Sequence, residues 1–194
     1  MNKKIRIPLV SSALLLVFFM SHHGMCAQSL GFFEESLLFE ISGDFFTVDG
    51  QYYFRNTGQS DIHQILFYPF PADDDPLSID SVSVTETPVA EEQLLVHRSD
   101  KGFSFLVQLK AGEEKAYHIF YRQKVSHHAR YILTSTRQWG NPLEKAFYQL
   151  KVPLEIKPTS FSYPPDYQEE NLDETIYIWY RENFMPDKDF EIEF

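Results

Sequence analysis

Beyond residue 30, apolar and polar residues alternate with a period of two rather than 3.6. Phe103-Ser104-Phe105-Leu106-Val107-Gln108-Leu109 places its apolar side chains at every second position, and Ile79-Asp80-Ser81-Val82-Ser83-Val84-Thr85 is β-branched and half polar. Residues 116–121, 131–136, 146–152 and 176–180 are rich in Tyr, Phe, Ile and Val, and Phe190-Glu191-Ile192-Glu193-Phe194 alternates cleanly. Such runs predict strands with one buried and one wet face. Residues 32–39 are ambiguous: Glu34 and Glu35 within an apolar frame fit one or two helical turns, or the first strand.

The breaks agree with the runs. Asn56-Thr57-Gly58 separates residues 51–54 from 62–68, and Ser99-Asp100-Lys101-Gly102 gives the spacing of a hairpin. Prolines at 69, 71 and 76, and again at 153, 158, 164 and 165, mark strand ends and connections. About ten strands at this spacing predict an all-β fold, a single antiparallel β-sandwich, immunoglobulin-like or related. The 11 Tyr and 18 Phe of the chain supply rings to fill the space between its sheets.

The first residues break the pattern. Lys3, Lys4 and Arg6 precede an apolar run over residues 7–20, followed by Ser21-His22-His23-Gly24-Met25-Cys26-Ala27. This is the form of a cleavable signal peptide over residues 1–27, cut after Ala27, with a β-sandwich domain over 28–194. The apolar run is short for a membrane span, so no stable span is expected after cleavage. A lipid-modified Cys26 would want small apolar residues before it, where His23, Gly24 and Met25 stand. The expected place of the product is periplasmic or extracellular.

Cleavage changes the charge. The chain has 17 Lys and Arg against 28 Asp and Glu, and the leader takes three of the basic residues and no acidic ones. The remainder has 14 against 28, a net charge of −14, which repels phosphate backbones and excludes nucleic acid as a partner. Cys26 is the only cysteine, so the domain folds without disulfides and offers no thiolate.

The candidate chemistry is thin. His127-His128 would point to opposite faces of a strand and lacks metal-ligand spacing. Asp73-Asp74-Asp75 lacks the alternate spacing and glycine of a calcium loop. Glu91-Glu92, Glu113-Glu114 and Glu169-Glu170 are paired carboxylates in turn-like stretches, and no Gly-x-Ser-x-Gly elbow is present. No catalytic residue, cofactor or metal is assigned. The more specific surface is aromatic: Tyr163 and Tyr167 in Tyr163-Pro164-Pro165-Asp166-Tyr167, with Tyr177 and Trp179 on one face of a strand. Exposed rings of this kind would bind a protein or a cell-surface glycan.

Three segments carry a resemblance: Tyr52-Tyr53-Phe54-Arg55-Asn56 leading to Tyr68-Pro69-Phe70-Pro71, Thr136-Arg137-Gln138-Trp139-Gly140 before Ala146-Phe147, and Trp179 leading to Asn183-Phe184-Met185-Pro186-Asp187. In these the chain resembles exported bacterial β-sandwich domains of unknown function. The resemblance implies the sandwich, placement outside the cytoplasm and an interaction role, and brings no catalytic residues. The expected function is therefore a non-catalytic binding or structural module of the cell envelope. Two alternatives remain: a carboxylate-dependent hydrolase acting on a glycan, and a small outer-membrane β-barrel suggested by the terminal Phe190, Ile192 and Phe194.

Overall fold

The computed structural model describes residues 29–71, 79–87 and 93–194, and the alternating runs within them are strands, except that the run over 131–136 leaves its strand after Tyr131 and enters a 3₁₀ helix at Thr134. The signal peptide, Cys26, Asp73-Asp74-Asp75 and Glu91-Glu92 lie outside the described residues. Among the described residues thirteen strands follow in chain order: β1 (Leu30–Ser42), β2 (Phe45–Asn56), β3 (Ile62–Pro69), β4 (Ile79–Thr87), β5 (His97–Ser99), β6 (Gly102–Leu109), β7 (Glu114–Lys124), β8 (His128–Tyr131), β9 (Leu143–Pro153), β10 (Ser160–Phe161), β11 (Tyr167–Glu170), β12 (Glu174–Phe184) and β13 (Phe190–Glu193). A 3₁₀ helix, Thr134–Trp139, joins β8 to β9. Residues 32–39 belong to β1, which settles their ambiguity in favour of a strand.

Seven strands form one sheet in the order β11-β12-β9-β1-β2-β7-β4. Two three-stranded sheets, β10-β13-β8 and β3-β6-β5, face it. The all-β sandwich holds, with two refinements. The count exceeds ten because β5, β8, β10 and β11 are two to four residues long and too short to show a period. The pairing of β1 with β9 is parallel, since the chain visits both small sheets before returning beside its first strand. The large sheet ends at β11 on one side and β4 on the other, and these do not pair, so it does not close into the barrel considered above. Among the described residues no helix is long and apolar enough to cross a membrane.

Rings join the layers. Phe190 of β13 stacks on Phe39 of β1 at 4.8 Å and meets Trp179 of β12 edge-on at 4.9 Å. In the other half, Phe105 of β6 lies 5.6 Å from Tyr117 of β7, and Tyr68 of β3 meets Tyr121 of β7 edge-on at 5.9 Å. Gly102 opens β6 where it passes β3: an added Cβ would stand 2.0 Å from the Tyr68 carbonyl oxygen, so only glycine fits.

One polar residue holds the loop ends together. Buried Asn56 donates through Nδ2 to the carbonyls of Ser60 (2.8 Å) and Lys110 (2.9 Å), and its Oδ1 accepts from the Gly58 amide (2.9 Å). Asn56→Ala strands these groups and is expected to cost about 2 kcal/mol in urea unfolding. A change within experimental scatter would contradict that role.

Among the described residues no strand of one small sheet pairs with a strand of the other. β3 and β8 are the end strands of their sheets, and both hang over the β1–β2 pair. The space between those two edges is where the site forms.

Candidate functional site

A β-bulge decides which acid faces inward. In β1, Leu30 and Phe32 point into the core, and so do Leu37, Phe39 and Ile41. A period of two cannot place both sets on one face. The pairing with β2 slips between Phe32 and Glu34, and the extra residue reconciles them. Its consequence is that Glu35 joins the inner face and is 2% exposed.

The carboxylate of Glu35 meets hydroxyls rather than cations. Tyr148 Oη donates to Oε1 at 2.6 Å and Tyr131 Oη to Oε2 at 3.2 Å. Tyr52 Oη lies 3.2 Å from Tyr131 Oη and 2.8 Å from Tyr68 Oη. Five strands thus contribute one side chain each: β1, β2, β3, β8 and β9. No Lys, Arg or His among the described residues pairs with Glu35. Burial is the main force on it and pushes its pKa to about 7, against the pull of the bonds from Tyr148 and Tyr131. Burial likewise raises Tyr52, Tyr131 and Tyr148 well above the ordinary phenol, and the charge of Glu35 adds to that. Tyr68 is raised by burial first and by Tyr52 next.

Each phenol has one proton to give, so the chain has a direction. When Glu35 is ionised, Tyr131 donates to it, Tyr52 to Tyr131 and Tyr68 to Tyr52. Tyr68 Oη then keeps acceptor capacity at the free end.

That end opens into a cavity of about 420 Å³. One wall is β3, from Gln64 to Pro69. The other is Tyr131, Ile132 and the 3₁₀ helix, through Ser135, Thr136, Gln138 and Trp139. Glu35 and Tyr52 lie on the floor with Phe32, Phe54 and Ile119, and Phe105 of β6 lines the cavity beside the β3 wall. The volume and the mixture of apolar walls with a few converging polar groups match a small-ligand site. Among the described residues Glu35 is the one carboxylate lining it, so a paired-carboxylate geometry for glycoside hydrolysis is not formed there.

The 3₁₀ wall is fixed from the connection between β12 and β13. Asp189, 8% exposed, accepts from the Thr134 amide (3.0 Å) and hydroxyl (2.7 Å) through Oδ1. Its Oδ2 accepts from Arg130 Nη2 (2.7 Å) and Nε (3.1 Å). Burial pushes its carboxyl up, but the bonds from Thr134 and Arg130 outweigh it and hold the group below the usual carboxylate range. Arg137 Nε donates to the Pro186 carbonyl at 2.7 Å, and Gly140 ends the helix with φ 75°.

The four aromatic residues singled out from sequence lie elsewhere, and none lines this cavity. Trp179 is 1% exposed and donates its indole N–H to the Tyr163 carbonyl at 2.8 Å. Tyr163 is half-buried, and its hydroxyl donates to Asp187 Oδ1 at 2.7 Å. Tyr177 is half-buried with its ring 5.0 Å from Phe161. Tyr167, 66% exposed, stands out on β11. His128 begins β8, exposed beside exposed His127, and among the described residues no cluster of His, Cys, Asp or Glu could hold a metal ion. Glu169 and Glu170 are exposed on β11, and Glu114 pairs with Arg55 at 3.3 Å.

Sequence reasoning missed Glu35 and its tyrosines. A signal existed: Glu35 sits in the same alternate register as Leu37, Phe39 and Ile41, an acid in a core position. Reading it required the bulge.

No family model and no curated protein matches the chain. Solved structures do match in fold. A "putative nutrient binding protein" from Legionella pneumophila superposes with a TM-score of 0.66 at 12% identity, over 86% of this chain and 67% of that one. An M1 zinc metallopeptidase from Deinococcus radiodurans gives a TM-score of 0.55 at 9% identity, over 86% of this chain and 42% of its own length. The E323A mutant of that peptidase bound to Tyr-Ser-Ala gives 0.55 at 8% identity. The chain thus spans under half of the peptidase. At these identities the likeness shows the fold alone.

Proposed function

We propose that this chain is an exported, non-catalytic binding module of the cell envelope. Cleavage after Ala27 releases one domain, residues 28–194, into the periplasm or the medium, and its working site is the cleft over Glu35. The observation that carries this reading is the cavity of about 420 Å³ with, on its floor, a buried carboxylate that pairs with no cation among the described residues. A buried carboxylate without a positive partner is expensive to keep, and a ligand that satisfies it recovers that cost on binding. The three basic residues and apolar run at the start of the chain support export. The solved structure with the higher TM-score, named for nutrient binding, agrees with a ligand-holding role.

The test is mass spectrometry of what the protein carries when purified from its own cell envelope and then denatured. The wild type is expected to release a small molecule or short peptide. Ser135→Trp, which places a large ring in the cavity wall, is expected to release less than a tenth as much. The same released set from both proteins, or none from the wild type, would count against the cleft.

A further inference from the structure

We propose that the cleft takes an extended peptide with a cationic side chain, which adds to the free edge of β3 as a further strand and sets its cation against Glu35. The proposal rests on the binding reading above and names its ligand class.

The backbone phase of β3 carries the first half. The Phe70 amide donates to the Lys101 carbonyl at 2.9 Å, continuing the register in which Pro69 faces Gly102. In an antiparallel pair, residues alternate between bonding the partner strand and facing away from it. Tyr68, Leu66, Gln64 and Ile62 therefore bond β6, while His63, Ile65 and Phe67 turn their N–H and C=O groups to the other edge, which no described strand pairs. Ile65 and Phe67 both line the cavity. An unpaired edge is a template for an incoming strand. The wall from Gln64 to Pro69 runs about 17 Å, enough for three to five residues. Pro69, with no N–H, closes the edge at that end.

Side chains select the sequence. In an added strand, alternate residues face inward over Tyr52 and Glu35, and the others face outward beside Ile65 and Phe67. Those two are 71% and 54% exposed and would gain apolar cross-strand neighbours. The inward residue faces a carboxylate that no cation among the described residues compensates, in a domain of net charge −14 once residues 1–27 are removed, which favours a cation. Facing sheets lie about 10 Å apart, a gap that a lysine and a glutamate reaching towards each other can span. The pattern is apolar, cationic, apolar.

Binding should titrate. The groups facing Glu35 are Tyr148 of β9, Tyr131 of β8 and Tyr52 of β2, with Tyr68 of β3 behind them, and all stay neutral near pH 7. A carboxyl with its midpoint at about 7 is mostly ionised at pH 8 and mostly protonated at pH 6. Affinity for a cation should therefore fall about tenfold between those values.

The test is calorimetry with the purified protein and four probes: acetyl-Val-Lys-Val-amide, the same peptide with norleucine for lysine, its backbone N-methylated form, and 1,5-diaminopentane. At pH 8 the lysine peptide is expected to bind, and each of the other three to bind at least about tenfold more weakly. Glu35→Gln is expected to weaken the lysine peptide about tenfold and to abolish the difference between pH 6 and 8. Equal binding of the diamine, the norleucine peptide or the N-methylated peptide overturns the proposal. If no peptide binds while a non-peptide molecule co-purifies with the protein, the peptide proposal fails and the binding reading stands. If neither is seen, both fail.

Discussion

Replacing Glu35 with Gln is expected to stabilise the domain at pH 8 by about 3 kcal/mol and to change little at pH 4.5. The sign follows from where the proton sits. An exposed carboxyl titrates near 4.5, and burial lifts Glu35 to about 7 in the fold. Between those values the folded state holds a proton that the unfolded chain has released. Stability therefore falls as pH rises from about 4.5 to 7, and the loss is complete above 7. Glutamine keeps the shape, still accepts from Tyr148 or Tyr131, and carries no charge to bury. Urea unfolding of both proteins at pH 4.5, 6 and 8 reads the difference directly. A destabilised variant at pH 8, or a difference independent of pH, would show that Glu35 is not an uncompensated buried acid. Tolerating such a group in a core position fits a site kept for binding rather than for stability.

Asp189→Ala should act with the opposite sign and a similar size, a loss of about 3 kcal/mol at neutral pH. It removes four hydrogen-bond contacts at once, two from Thr134 and two from Arg130. Glu191, 3.4 Å from Arg130, limits the damage to that cation. Because the Asp189 carboxyl is held below its usual range, its contribution is present at neutral pH and is lost as the pH falls through that depressed midpoint. The gap between wild type and variant should therefore narrow in acid. Asp189→Asn, which can still accept from Thr134, should lose about half as much. The same change releases the 3₁₀ wall of the cleft, so retention of bound molecules should drop with stability. A stability loss below about 1 kcal/mol for Asp189→Ala would remove Asp189 as the anchor of that wall.

The strands were legible where the alternation is regular, as over residues 103–109 and 190–193, because one face is core and the other solvent. They were not legible where pairing alone makes them. Phe161 belongs to a two-residue strand, yet its ring covers Tyr177 and Trp179, at 5.0 and 5.6 Å. Sequence placed those two rings on one strand face but could not say what lies over it. β1 was ambiguous for a different reason: its bulge, between Phe32 and Glu34, breaks the period just before an acid enters the core at Glu35. The site itself had no local signature. Glu35 and Tyr148 are 113 residues apart, and the tyrosines between them read as ordinary core aromatics until the sheets bring their hydroxyls together. Histidine pairs and acidic runs, which sequence makes conspicuous, contribute nothing to the cleft among the described residues.

The carbon-13 titration of the Glu35 side-chain carboxyl, with and without saturating acetyl-Val-Lys-Val-amide, tests the central claim most directly. The free protein should give a midpoint at about 7, and the bound protein a clearly lower one, because a cation beside the carboxylate favours its ionised form. A midpoint in the ordinary carboxylate range, unmoved by the peptide, would contradict the account.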